Sequence, residues 1–328
     1  MSSIQASGER VAANVERVIV GKHAEVRLAL VALLCQGHLL IEDVPGTGKT
    51  VLAKAIARSI DCTFRRIQFT PDLLPTDVTG LSIYNQKTQE FEFRAGPIVA
   101  QIVLADEINR ATPKTQSALL EAMQERSVTV AGNTYKLEKP FLVLATQNPI
   151  EQEGTYPLPE AQLDRFIFKI VVGYSQMDDL LTILDRTTGT QNPEASKVLD
   201  GPSILKAQDL VRGALVAPHV QEYVARLVLA THPGTGTAAG GASGPTNKYV
   251  RCGASPRAAQ ALLLGAKVKA LVDGRYHVSY ADVRAIAVMS LRHRLILNFE
   301  AEADRVDSDK LVKSIMDLTP TEPAKAVA

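Results

Sequence analysis

A short apolar run, His38 to Glu42, leads into Pro45-Gly46-Thr47-Gly48-Lys49-Thr50, and Lys49 to Ile60 then carries apolar side chains at helical spacing. A strand, a glycine loop and a helix in that order admit few folds. The glycines let backbone N–H groups turn inward around an anion at the positive end of the helix, so the loop belongs at the carboxyl end of a buried parallel strand. Lys49 would reach the β- and γ-phosphates of a bound nucleotide, and the Thr50 hydroxyl would ligate Mg²⁺. Val51 follows in the first helical turn. Where the first glycine of G-x-x-x-x-G-K-T is expected the chain has Asp43, which would either restrain the loop through a local hydrogen bond or tolerate its backbone geometry.

The rest of the first half continues the alternation. Phe64 to Phe69, Ile102 to Ala105 and Phe141 to Ala145 read as further short strands separated by helical patterns, which predicts a parallel sheet covered on both faces. Val11 to Ile19 and Glu25 to Gln36 read as helices ahead of the first strand, joined by Val20-Gly21-Lys22. Two segments interrupt the pattern as hairpins: Leu81 to Asn85 with Phe91 to Arg94, and Ser127 to Val130 with Thr134 to Leu137 around Gly132-Asn133. Thr112 and Pro113 begin a helix between them that runs to about Arg126. After Gly173 the strand pattern stops, and Asp178 to Arg186, Ser203 to Arg212, Ala217 to Thr231, Pro256 to Asp273 and Ser279 to His293 read as helices. Pro233 to Lys248 reads as a mobile loop, and the chain from Pro320 as a disordered tail.

Composition narrows the partners. The 328 residues hold 36 Lys and Arg against 35 Asp and Glu, a net charge of +1, so no global field would hold the chain on a nucleic acid or an anionic membrane. The longest apolar stretch, Leu28 to Ile41, is broken by Gln36, Gly37 and His38 and falls short of the roughly 20 residues of a membrane span. Met1 to Gly8 has no secretory pattern. Cys35, Cys62 and Cys252 are scattered without metal-site spacing and read as small buried hydrophobes of a reducing, cytoplasmic protein. His219, His232, His277 and His293 lack ligand spacing and read as surface or structural residues.

Ile102-Val103-Leu104-Ala105-Asp106-Glu107 is an apolar strand ending in two acids. At the carboxyl edge of a parallel sheet Asp106 would hold Mg²⁺ through water and Glu107 would polarise the attacking water, although two such acids can equally open a following helix. Together with the loop and a helical second half, this pattern resembles the AAA+ ATPases, and the wording is closest to the MoxR family. The matching strings are Ile41 to Thr50, Phe93-Arg94-Ala95-Gly96-Pro97, Asp106-Glu107-Ile108-Asn109-Arg110-Ala111, Ala145-Thr146-Gln147-Asn148-Pro149, Pro159 to Phe166 and Gly253-Ala254-Ser255-Pro256-Arg257-Ala258, in order along the chain. Asp43 is then usual for the family.

The resemblance implies an α/β AAA+ P-loop sandwich with a parallel sheet, followed by a smaller all-helical lid. Residues 1–175 would form the nucleotide domain, with inserts near 78–97 and 127–138. Residues 176–200 would be a linker, 201–319 the lid and 320–328 the tail. ATP would be cradled by Pro45, Gly46, Thr47, Gly48, Lys49, Thr50 and Val51, with Mg²⁺ on Thr50 and Asp106. Asn148 matches the sensor 1 position, where a neutral amide contacts the γ-phosphate or the attacking water; as an Asn before Pro it could also simply start a turn. Arg165 matches the arginine finger presented to a neighbouring subunit, the alternative being a surface arginine paired to Asp164. Arg257 matches sensor 2, which reports nucleotide state from the lid. Val20 and Gly21 match the segment that packs on adenine, or are an ordinary helix connection. The hairpins correspond to the helix-2 and pre-sensor 1 inserts, where Tyr84, Phe91 and Phe93 would either contact a client or pack on their own domain.

The function implied is a hexameric ring ATPase that remodels or matures partner proteins, in chaperone fashion, often proteins with a von Willebrand factor A (VWA) domain, and including metal insertion or complex assembly. Catalysis would fall to Glu107, Asn148 and, from the next subunit, Arg165. The ATPase subunit of a metal chelatase would share every motif and differ in partner. A helicase-type motor is disfavoured by the near-zero charge, though Lys87, Arg94 and Lys136 could line a basic pore. A scaffold that binds but barely hydrolyses is disfavoured by the presence of both Glu107 and Arg165, and a protease by the lack of G-x-S-x-G and H-E-x-x-H.

Overall fold

The structure is a computed structural model and describes residues 2–43, 48–148, 154–174, 176–189 and 193–321. They fall into two compact units. One comprises Ala6–Leu158 and Ile170–Ala207, the other Met1–Gln5, Pro159–Lys169 and Gln208–Ala328.

The first unit is built on a five-stranded sheet of β1 (Leu39–Asp43), β2 (Phe64–Gln68), β3 (Ile102–Asp106), β4 (Leu142–Gln147) and β5 (Phe168–Val172), in the order β2-β3-β4-β1-β5. The pairs β2·β3, β3·β4 and β4·β1 are parallel. All of β3 and Leu142 to Thr146 of β4 are buried, as a parallel sheet covered by helices on both faces requires. Helices Lys49–Ser59 and Pro113–Glu125 turn Leu52, Ala53 and Ile56, and Leu119, Leu120 and Met123, inward. The register sets Gln68 beside Asp106, Ala105 beside Ala145 and Glu42 beside Gln147, so the strands all end along one edge.

The first four strands fall where the sequence places them. β5 was not anticipated: Phe168-Lys169-Ile170-Val171-Val172 is a brief apolar run with no long helix pattern before it to mark it as part of the alternation. Both hairpins are present, as Gly80–Asn85 with Glu90–Ala95 and Ser127–Val130 with Asn133–Lys136. They are tied together by Phe93 and Tyr135, whose rings stack with centroids 3.9 Å apart.

The second unit is mainly helical. Its core gathers Tyr223, Val224 and Leu227 from Pro218–Leu229, Ala258, Leu262 and Ala266 from Pro256–Val272, Val283 and Ala287 from Tyr280–Leu291, and Val312 and Ile315 from Ser308–Leu318. That last helix was missed, although Asp307 caps it and Leu311, Val312, Ile315 and Met316 share one face. The unit also contains a short antiparallel pair, Val250–Cys252 with Ile296–Leu297. Pro233 to Lys248, expected as a loop, contains short regular elements. It forms a 3₁₀ turn at Gly241–Ser243 and begins the helix Pro245–Tyr249, and Thr246 Oγ donates to the Ala230 carbonyl at 2.8 Å in a buried setting. Of the expected tail, Pro320 and Thr321 accept hydrogen bonds from Arg226, and 322–328 lie outside the described residues. Cys35 is buried as expected, whereas Cys62 is half-buried and Cys252 is exposed.

Candidate active site

The edge where the strands end carries the polar residues of the first unit. β1 runs out at Asp43. Val44, Pro45, Gly46 and Thr47 lie outside the described residues, and the chain resumes at Gly48, whose φ of 87° is a left-handed conformation at the cap of helix Lys49–Ser59. Lys49 and Thr50 therefore stand in the first helical turn directly beyond β1, with Val51 behind them. An apolar hollow opens beside them, lined by Ile19, Lys22, Ile41, Lys49, Leu52, Ile170 and Val172. Val20 and Gly21 occupy the turn between two of those residues, Ile19 and Lys22. Gly21 has a φ of 69°, and a Cβ there would have to displace the Asp179 carboxylate. Lys22 is buried and donates Nζ to the Gly173 carbonyl at 2.8 Å.

The two acids after β3 are held in different ways. Asp106 is 7% exposed; its Oδ1 accepts from Thr146 Oγ at 2.7 Å and its Oδ2 from Arg66 Nη2 at 2.7 Å. Glu107 has a φ of 57°. Among the described residues the other non-glycine residues with positive φ, Gln36, Asp61, Gln89, Arg126, Ala131 and Arg305, follow helices or sit in hairpin turns, whereas Glu107 follows a buried strand directly. A left-handed glutamate is costly by about 1 kcal/mol or more and persists only where its surroundings impose it. Here its backbone N–H donates to Thr146 Oγ at 2.8 Å, and its Oε2 accepts from Gln68 Nε2 at 2.8 Å and pairs with Arg110 Nε at 3.2 Å. Thr146 thus accepts from one acid's backbone and donates to the other's carboxylate.

Asn148 follows β4, between the ends of β3 and β1, and is buried; its carbonyl accepts from Asn109 Nδ2 at 3.5 Å. The structure therefore brings Lys49, Thr50, Asp106, Glu107 and Asn148 onto neighbouring strand ends of one unit. Arg165 and Arg257 belong to the helical unit. Arg66, Gln68 and Thr146 were not singled out by sequence reasoning. Their signal is the alternation of β2, which puts Arg66 and Gln68 on the same face, and a threonine one strand away from the acid pair.

Among the described residues no group of three or more His, Cys, Asp or Glu gathers to hold a metal. Mg²⁺ needs none: it keeps several waters and takes one or two protein oxygens plus phosphate oxygens. The buried Asp106 carboxylate at the end of β3 and the Thr50 hydroxyl in the first turn of the helix after β1 are hard oxygen donors of the kind it takes.

A parallel sheet with a lysine-bearing helix after one strand and an acid pair after the next but one defines the class of P-loop nucleotide-binding domains. Residues 38–168 match the ATPase family associated with various cellular activities (AAA), and residues 246–315 match the AAA lid domain. An uncharacterised protein of Bacillus subtilis, YeaC, is 47% identical over 92% of this chain and 91% of its own length. Chaperone MoxR1 of Mycobacterium tuberculosis is 44% identical over 94% and 80%, and Protein MoxR of Paracoccus denitrificans 32% identical over 92% and 91%. A crystal structure of a candidate ATPase from Cytophaga hutchinsonii superposes with a TM-score of 0.90 at 39% identity, covering 97% of this chain and 95% of that one. The chain belongs to the MoxR family of AAA+ ATPases.

Proposed function

We propose that the protein binds ATP with Mg²⁺ and hydrolyses it in an oligomeric, hexameric ring in the cytoplasm, using the cycle to remodel or mature partner proteins. The observation that carries this reading is the convergence of Lys49, Asp106, Glu107 and Asn148 on adjacent strand ends. In this reading Pro45 to Val51 cradle the phosphates, and the turn at Val20 and Gly21 with the hollow beside it receives the base. Thr50 and Asp106 hold Mg²⁺, which when bound supplies charge neutralisation to the phosphates. Glu107, fixed by Gln68, Arg110 and Thr146, is the base that orients water, and Asn148 contacts the γ-phosphate or that water. Arg165 completes a neighbour's site and Arg257 reads the nucleotide state. The chaperone assignment of the Mycobacterium relative supports a protein client, and a VWA-domain protein, with metal insertion or complex assembly as the outcome, is the class proposed.

Nucleotide binding tests the reading at its base. Wild-type protein should bind ATP and release phosphate, and Lys49→Ala should lose binding in equilibrium titration with a fluorescent ATP analogue. Equal affinity in the two proteins would remove Lys49 from the site.

A further inference from the structure

The segment carrying Arg165 is gripped within the helical unit by one buried side chain. Arg294 is only 3% exposed and uses all five of its N–H donors. Nε donates to Asp164 Oδ1 at 2.7 Å, one terminal nitrogen to the carbonyls of Asp164 at 3.2 Å and Phe166 at 2.7 Å, and the other to the carbonyls of Ile167 at 3.1 Å and Ser290. His293 Nε2 adds a bond of 3.0 Å to the Phe166 carbonyl. A guanidinium this deep is tolerated only with its carboxylate and a full set of acceptors, so the backbone from 164 to 167 has little freedom.

The second oxygen of Asp164 looks elsewhere. Oδ2 accepts from Ser255 Oγ at 2.8 Å and lies 3.9 Å from Arg257 Nη1. Ser255 is also the cap of helix Pro256–Val272, accepting from the Arg257 backbone N–H at 3.1 Å. One carboxylate therefore joins two segments some 90 residues apart in sequence, each bearing an arginine assigned to nucleotide chemistry.

We propose that Asp164 is a positioning residue that sets Arg165 and Arg257 as one block, anchored by Arg294 on one oxygen and tied through Ser255 to the helix start on the other. Displacement of either arginine then displaces both, so completion of a neighbour's site and sensing of nucleotide state share one mechanical part. The inference rests on the nucleotide roles proposed for those two arginines.

Ser255→Gly tests it in the full-length protein. Glycine at a helix cap costs only a few tenths of a kcal/mol, so the helix survives while the hydroxyl that reaches Asp164 is lost. Two readouts are taken: hydrogen exchange of the amides from 164 to 167, and steady-state ATP turnover. Exchange across 164–167 should rise about threefold or more, and kcat should fall about fivefold with KM for ATP changed by less than about twofold, with Ser255→Thr restoring both. In an Arg257→Ala background the same substitution should still raise exchange at 164–167, since the tie to Asp164 runs through the Ser255 hydroxyl. Unchanged exchange at 164–167 would overturn the coupling, and so would raised exchange with unchanged turnover. If the wild type releases no phosphate, the ATPase reading falls, and the exchange result alone decides whether the two segments are coupled.

Discussion

Glu107 is the residue where backbone and chemistry meet. Its left-handed φ of 57° turns the side chain off the line of β3 towards Gln68 and Arg110, and Thr146 closes the geometry by accepting its N–H. Glu107→Gln keeps the shape and removes the base, so ATP affinity should be near that of the wild type while single-turnover hydrolysis falls by about 10²- to 10⁴-fold. Hydrolysis at the wild-type rate would take the base role from this residue. The acid pair was legible in the sequence because an apolar strand ending in Asp-Glu is a local pattern. Arg66, Gln68 and Thr146 were not, because their roles exist only once β2 and β4 flank β3. A second residue, His38, bears on stability and not on catalysis. It is buried, accepts the Val143 N–H at Nδ1 and contacts the Met123 carbonyl through Nε2 at 3.1 Å, and burial lowers its pKa to about 4. A histidine depressed in the folded state contributes stability above its unfolded value near 6.5, and that contribution is lost as pH falls from there towards 4, about 3 kcal/mol in all. Urea unfolding at pH 7 and pH 4.5 should show a steeper loss for the wild type than for His38→Gln.

At the scale of elements, close approach decides what substitution does. Gly265 lies mid-helix in Pro256–Val272, where an alanine would ordinarily add stability through helix propensity. Here a Cβ would stand 2.6 Å from Ile286 Cγ2 and 2.9 Å from Phe168 Cζ. Gly265→Ala should therefore destabilise the helical unit by about 1–3 kcal/mol in thermal unfolding, opposite in sign to the propensity effect. The elements also explain what the sequence did and did not disclose. β1, β3 and β4 are apolar runs bounded by loops and helices, and both hairpins show period-two alternation, so all were readable. β5 is as short, but it follows a turn and not a long helix, and its place beside β1 is a tertiary fact. The glycine-rich stretch from Pro233 has the composition of a loop, yet Thr246 and Asn247 bind backbone groups across it. The hairpin aromatics differ in their surroundings. Phe93 stacks on Tyr135, whereas Tyr84 and Phe91 pair at 5.3 Å and remain 50% and 73% exposed.

On the scale of the whole molecule, 36 basic against 35 acidic residues leave recognition of phosphate to a few placed groups rather than to a charged face. Several other arginines are paired to carboxylates: Arg66 to Asp106, Arg110 to Glu107 and Arg294 to Asp164. No helix among the described residues is long and apolar enough to cross a membrane. The proposed reaction divides its residues between subunits, with Lys49, Asp106, Glu107 and Asn148 on one side of a site and Arg165 on the other. Arginine fingers contribute on the order of 10³- to 10⁵-fold to turnover, so Arg165→Ala should bind ATP and hydrolyse almost none. Lys49→Ala should be inactive for the complementary reason. The deciding measurement is ATP turnover in a mixture of these two variants, with native mass spectrometry verifying that mixed rings form. Each mixed ring contains interfaces with an intact Lys49 facing an intact Arg165, so activity should recover well above the sum of the two variants alone. Mixed rings without recovery would contradict a site shared between subunits.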